Sequence, residues 1–195
     1  MSNLVKQEGG KNLAVSAQQV AVSADETQQY LTFSLGKEMF GIGILNIREI
    51  IEYGNVTTVP MMPAFVRGVI NLRGSVVPVI DLAARFGRPP CEITRRSCII
   101  IVEMGHDGER LQLGMVVDTV SEVLEIPDSQ IEPPPAFGAK IRTDFIAGMG
   151  KVNDSFIILL NMNNVLAVDE MAMLAQMSES QTQLPPAEAA KTGDK

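Results

Sequence analysis

A single histidine in 195 residues, with no tryptophan and only two cysteines, leaves little from which to build a catalytic or metal centre. A hydrolase or transferase needs a nucleophile, a base or a metal cluster, and zinc sites need several cysteines and histidines at short spacing. His106 stands in the polar run Gly105-His-Asp-Gly108 with no second ligand beside it, the pattern of a solvated loop histidine. Gly41-Ile-Gly43 has Asn46 where a dinucleotide fingerprint carries its third glycine, and no phosphate-binding Gly-Lys-Ser/Thr run occurs. No catalytic residue, metal ligand or cofactor is therefore assigned. Two cysteines exclude a disulfide framework, and Cys98, which opens Cys98-Ile-Ile-Ile-Val102, is expected to be a small buried thiol.

Positive charge is also scarce. Sixteen Lys and Arg stand against 23 Asp and Glu, a net charge of −7, which argues against nucleic acid because duplex binding draws on clustered cations. No apolar run approaches the roughly 18 residues of a membrane span. The first residues lack the basic end and apolar block of a signal peptide, so a soluble, cytoplasmic protein without direct membrane insertion is expected. The triplets Asn55-Val-Thr57 and Asn153-Asp-Ser155 then carry no glycosylation meaning.

What the chain does contain is apolar residues, 46% of the total, with a mean hydropathy of +0.14. Residues 1–28 and 178–195 are poor in large apolar groups and are expected to be disordered tails around an ordered region at 29–177. Within that region Phe40-Gly-Ile-Gly-Ile-Leu-Asn-Ile-Arg-Glu-Ile-Ile-Glu52 aligns without a gap on Leu113-Gly-Met-Val-Val-Asp-Thr-Val-Ser-Glu-Val-Leu-Glu125. Phe65-Val-Arg-Gly68 aligns with Phe145-Ile-Ala-Gly148, and Ser75–Leu82 with Ser155–Met162. One unit is present twice, near 30–82 and 97–162, at a spacing too long for a solenoid array.

Each copy has the pattern of short strands. Leu31, Phe33 and Leu35 alternate with polar neighbours, Gly36-Lys37 turns the chain, and Phe40, Ile42 and Ile44 continue on one face. Pro60, Pro63 and Pro133-Pro-Pro135 cannot donate ladder hydrogen bonds and mark crossings between strands. Closing a small sheet removes its edges, which points to an all-β chain with one barrel per copy, exchange of strands between them being left open. Met162, Val165, Leu166, Met173, Leu174 and Met177 recur near helical spacing and predict a terminal helix on the core.

Gly68-Val-Ile-Asn-Leu-Arg-Gly-Ser-Val-Val-Pro-Val-Ile-Asp-Leu82 is the most informative run. Two apolar strands flank an Arg73-Gly74 turn, and the equivalent turn in the second copy is Asn153-Asp154, so the hairpin does not require arginine. A planar five-donor fork at such a tip suits a partner's carboxylate or carbonyls. Glu49 and Glu122 take matching places in apolar strands, where alternation predicts that they face water. Ile44, Ile47 and Ile50 border Glu49 and, where exposed, would form an apolar patch with a polar rim.

Phe40-Gly-Ile, Pro63-Ala-Phe, Gly68–Gly74, Pro78-Val-Ile-Asp-Leu82 and Val116-Val-Asp118 together resemble the CheW family of chemotaxis coupling proteins, from about Tyr30 to Gln176. The resemblance implies two five-stranded SH3-like barrels with short helices and a C-terminal helix. It implies a non-catalytic adaptor between the cytoplasmic tips of methyl-accepting chemoreceptors and the regulatory domain of the histidine kinase CheA, with other copies joining in rings. Recruitment to the inner face of the membrane would follow from those arrays. By position, Ile44, Ile47, Glu49 and Ile50 would face a partner, and Gly68 and Arg73 would belong to the receptor and array contact region. A CheV-like module, or an adaptor of a pilus or other surface-sensing pathway, would share the same motifs. Leu166-Ala-Val-Asp-Glu170 departs from the family's usual capping residues, with Asp169 a candidate cap.

Overall fold

The computed structural model describes residues 26–106, 109–134 and 144–180. Strands β1 (Thr27–Leu35), β2 (Glu38–Gly43), β3 (Ile47–Glu52), β4 (Val66–Leu72) and β5 (Ser75–Asp81) lead into the short helix α1 (Leu82–Arg85). There follow β6 (Cys98–His106), β7 (Glu109–Val117), β8 (Thr119–Pro127), β9 (Ile131–Glu132), β10 (Ile146–Val152) and β11 (Ser155–Leu160), then helices α2 (Met162–Val165) and α3 (Val168–Ser180). The fold is mostly β, in two sheets. One is six-stranded in the order β8-β1-β2-β11-β10-β9, the other five-stranded in the order β3-β6-β7-β5-β4. In neither order is the first strand paired with the last, so closed barrels are not what the ladders alone describe.

The two copies are interleaved. Hairpin β1–β2 of the first copy joins strands β8 to β11 of the second, while β6–β7 of the second completes the sheet of β3, β4 and β5. Each imported hairpin docks through a parallel ladder, Phe40 opposite Ile158 in one sheet and Gly114 opposite Val79 in the other. The consequence shows in the core. A large cluster takes Leu31, Phe33 and Phe40 from one sheet together with Val79, Ile100 and Leu113 from the other, whereas a small one inside the six-stranded sheet holds Tyr30, Ile126, Ile157 and Leu159. β1 is thus buried on both faces, which ends the expected alternation: Thr32 is wholly buried, and its hydroxyl donates to the Glu122 carbonyl at 2.8 Å.

Several sequence expectations shift by a few residues for identifiable reasons. β1 begins at Thr27, within the stretch assigned to the tail, because Thr27 and Gln28 pair with Pro127 and Ile126. α3 reaches Ser180, and residues 1–25 and 181–195 lie outside the described residues. Asp107, Gly108 and Pro135 also lie outside them, while Pro60 and Pro63 fall between β3 and β4 and Pro133 follows β9. Ile44 does not continue β2 but opens a 3-10 turn, Ile44–Asn46. The terminal helix is broken at Leu166, whose backbone is extended at φ −114° and ψ 143°. Glu170 rather than Asp169 caps the second piece, accepting from the Ala167 amide at 2.7 Å, the backward half of a capping box. Cys98 is only half-buried, and Cys91 is the buried thiol.

An aromatic stack ties the sheets together. Phe33, Phe40, Phe86 and Phe145 follow one another with ring centroids 5.9, 5.8 and 4.5 Å apart. Phe86 follows α1, while the others come from the six-stranded sheet or its approach, so one row of rings spans the junction.

Candidate partner-binding surface

The β4–β5 hairpin turns through Arg73 and Gly74, both in the left-handed region at φ 52° and 90°. Two positive φ values match the right-handed twist of a two-residue hairpin, and Asn153 and Asp154 repeat them at 47° and 60°. Asparagine takes this conformation readily, whereas arginine is strained there. The Asn71 side chain accepts from the Gly74 amide at 2.8 Å and steadies the turn.

The Arg73 side chain is 77% exposed and meets Glu49, on β3, at 23%. Both ends of the fork are used, Nη1 to Oε1 at 2.7 Å and Nη2 to Oε2 at 2.8 Å. β3 and β4 are opposite edges of their sheet, so the pair spans a gap that no strand ladder bridges. The sheet curls far enough to bring its edges together, and Thr57, in the segment between them, forms an isolated bridge with Val69 of β4. Sequence reading had Glu49 facing water. It stands instead on the half-buried side of β3 with Ile47 and Ile51, the residues two away on either side, which strand alternation puts on the same face.

Ile50 points outward from the same strand at 41% exposure, and its counterpart Val123 on β8 does so at 44%. Ile44 and Ile47 are half-buried, while Leu45, which periodicity did not single out, is 97% exposed at the tip of the 3-10 turn. A turn residue breaks the strand repeat, so no alternation rule could have marked it. Leu45 and Ile44 border an open groove of about 800 Å³ with Gln28, Gln29 and Glu125 on its far wall.

Gly68 is buried and makes no surface of its own. Its φ is +143°, and a Cβ there would lie 2.0 Å from the Thr57 carbonyl oxygen. Its role is structural, letting the Thr57–Val69 bridge approach the hairpin. The structure therefore joins Arg73 to Glu49 beside Ile47, turns Ile50 outward from the same strand, sets Ile44 in the 3-10 turn, and buries Gly68 at the other end of the hairpin.

Charge on the neighbouring β6–β7 hairpin is organised around Glu103, which receives Arg48 at 2.6 Å and Arg110 at 2.7 Å. The Arg48 hydrogen bond, with Arg110 adding to it and burial opposing, holds the Glu103 carboxyl below its ordinary value of 4.5. A depressed folded value means a contribution to stability that is present above pH 4.5 and lost as pH falls through the lower folded value. A carboxyl titration by NMR should place the Glu103 midpoint below 4.5, and a midpoint at or above it would contradict the three-membered arrangement.

Asp81 is the functional-looking residue that sequence reading passed over. It is fully buried and accepts from Arg67 Nε at 2.9 Å, from the Cys91 amide at 2.9 Å and from the Ala84 amide at 3.0 Å, the last capping α1. Its signal was available as a carboxylate inside the apolar run Pro78–Leu82. Burial, then the charges of Asp81 and Asp118, push the Cys91 thiol up to about 12, so it stays protonated and is no nucleophile. Among the described residues no group of three or more His, Cys, Asp or Glu could hold a metal ion, and no helix is long and apolar enough to cross a membrane.

The chain is a duplicated β protein with interleaved sheets and an exposed, ion-paired hairpin tip. The CheW-like domain model matches residues 29–170, and the chain belongs to that family. It is 36% identical to the chemotaxis protein CheW of Klebsiella aerogenes, over 83% of this chain and 96% of that protein. It is 31% identical to the chemotaxis protein CheW of Helicobacter pylori, over 87% of this chain and 99% of that protein. The crystal structure of the scaffolding protein TtCheW from Thermoanaerobacter tengcongensis matches with a TM-score of 0.66 and 36% identity, over 75% of this chain and 94% of that one. The function is that of a chemotaxis adaptor.

Proposed function

We propose that this adaptor bridges chemoreceptor tips and the histidine kinase CheA without catalysing a reaction, gripping its partners with Ile44, Ile47, Glu49, Ile50 and the Gly68–Arg73 hairpin. The observation that carries this is the Arg73–Glu49 pair. A guanidinium stands at a strained, exposed turn where the second copy has asparagine, so the turn itself does not require it. Of its five N–H donors the fork commits two to Glu49, leaving the others for a partner's carbonyls or carboxylates. Exposed Ile50 and Leu45 supply the apolar area such an interface needs.

The curled five-stranded sheet, with Arg73–Glu49 across its edges and Thr57–Val69 beside them, supports reading that sheet as an SH3-like barrel. Within the cytoplasm the adaptor would reach the inner face of the membrane through its receptors, and further copies would extend it into rings. Coupling receptor to kinase asks for about 1 to 3 kcal/mol between the sites, provided the contacts differ between kinase-on and kinase-off states.

Arg73→Asn, which copies the turn of the second half, tests the reading. Losing an exposed pair should change stability by no more than about 1 kcal/mol. Affinity for a receptor-tip fragment or for the CheA regulatory domain should fall by about 2 kcal/mol, some thirtyfold, if Arg73 is a hot spot. Calorimetric titrations in which both partners bind the variant as tightly as the parent protein would remove Arg73 from the interface.

A further inference from the structure

The two halves build a similar corner in two ways, and one of them carries a charge pair that the other lacks. In each half a bulge precedes a glycine. Val66 faces Ile80 and Gly68 faces Val79, while Ile146 faces Leu160 and Gly148 faces Leu159, so Arg67 and Ala147 are the extra, re-aimed residues. The next hydrogen bond repeats as well, from the Asp81 amide to the Phe65 carbonyl at 2.7 Å and from the Asn161 amide to the Phe145 carbonyl at 2.8 Å. Asp81 and Asn161 then each cap a four-residue helix. The charges are one difference between them: Arg67 with Asp81 in one half, Ala147 with Asn161 in the other.

What the charged version adds is a grip on Cys91. Asp81 Oδ2 accepts the Cys91 amide at 2.9 Å while Arg67 Nη2 donates to the Cys91 carbonyl at 2.6 Å, so the pair holds both polar atoms of one peptide residue. Cys91 lies in the connection, residues 86–97, that joins the two copies. The same connection is fastened to the six-stranded sheet through Arg88, which pairs with Glu38 and lies 5.8 Å over the Phe40 ring. A buried ion pair adds little net stability over a neutral replacement, but removing one member strands the other, which favours a single arrangement.

We propose that the Arg67–Asp81 pair is a positioning device: it clamps the base of the β4–β5 hairpin to the connection between the copies and so sets where Arg73 stands against Glu49. This rests on the docking reading above and adds to it the residues that hold the docking hairpin in place. Arg67 lies one residue before Gly68, at the end of the hairpin opposite Arg73. The hairpin is therefore fixed at its base by one pair and at its tip by the other.

The test uses the full chain carrying Arg67→Ala with Asp81→Asn, which rebuilds the corner of the second half, beside Arg67→Lys. The double variant should fold, with a melting midpoint within a few degrees of the parent. Hydrogen exchange of the Val69–Ser75 amides should quicken, and affinity for the receptor-tip fragment or the CheA regulatory domain should drop on the order of tenfold, a usual size for coupling between sites. Lysine keeps the charge but not the fork, so Arg67→Lys should fall between the two. An unfolded double variant would make the pair a requirement of the fold and overturn the proposal. So would a folded one whose hairpin exchanges as slowly as the parent's. A parent protein that binds neither partner would sink the docking reading alone, with the exchange rates still deciding the clamp.

Discussion

Gly68→Val is expected to lower the melting midpoint by roughly 10 °C, corresponding to about 4 kcal/mol in a domain of this size. Two penalties act together. The backbone sits at φ +143°, which side chains other than hydrogen rarely adopt, and the new Cβ would lie 2.0 Å from the Thr57 carbonyl oxygen and 2.7 Å from its carbon. Neither atom is the free end of a side chain, so relief means breaking the pair of Thr57–Val69 backbone hydrogen bonds, 2.8 and 2.9 Å long. The second copy provides the control. Gly148 has no positive φ, and a Cβ there would meet the Ile131 Cγ2 methyl at 2.6 Å and the Glu132 carbonyl oxygen at 3.1 Å, so a substitution there carries a packing penalty without the backbone one. Gly148→Ala should therefore cost about 1 to 2 kcal/mol, as overpacking does. Urea unfolding of both variants checks the order, and equal losses would show that the Thr57 contact is not what fixes Gly68.

Asp81→Ala should be nearly as damaging, at about 3 kcal/mol, the low end for breaking a buried ion pair. Arg67 would keep its charge without a counterion, and the amides of Cys91 and Ala84 would lose their acceptor. Arg67 retains a quarter of its side-chain exposure, at 26%, so water can partly solvate the stranded cation, which is why the low end applies. Restoring neutrality with the Arg67→Ala, Asp81→Asn pair should recover most of the loss. A single Asp81→Ala variant as stable as the parent by urea unfolding would mean the carboxylate is not satisfied as described.

The strand content, the duplication and the matched hairpin turns were legible because each rests on local chemistry: alternation, turn residues, and the repeat of glycine and apolar positions. The pairing of Gly68 with Gly148 was legible for the same reason. The interleaving of the copies was not, since β1–β2 and β6–β7 have the same pattern whichever sheet they join. Nor was the meeting of Arg73 with Glu49, which depends on how tightly a sheet curls rather than on any spacing along the chain. Asp81 was overlooked because a carboxylate in an apolar run looks like an outward residue until its three donors, from the bulge, the connection between copies and α1, are seen together. Leu45 escaped because a turn resets the period, and the split between α2 and α3 because methionine and leucine recur across the break.

Co-sedimentation of the purified receptor fragment, the CheA regulatory domain and this chain measures bridging itself. The expected result is a three-component complex that forms only when this protein is added and that Arg73→Asn diminishes. Receptor fragment and kinase domain that each bind the chain but exclude one another, or that come together equally well without it, would contradict the proposed adaptor mechanism.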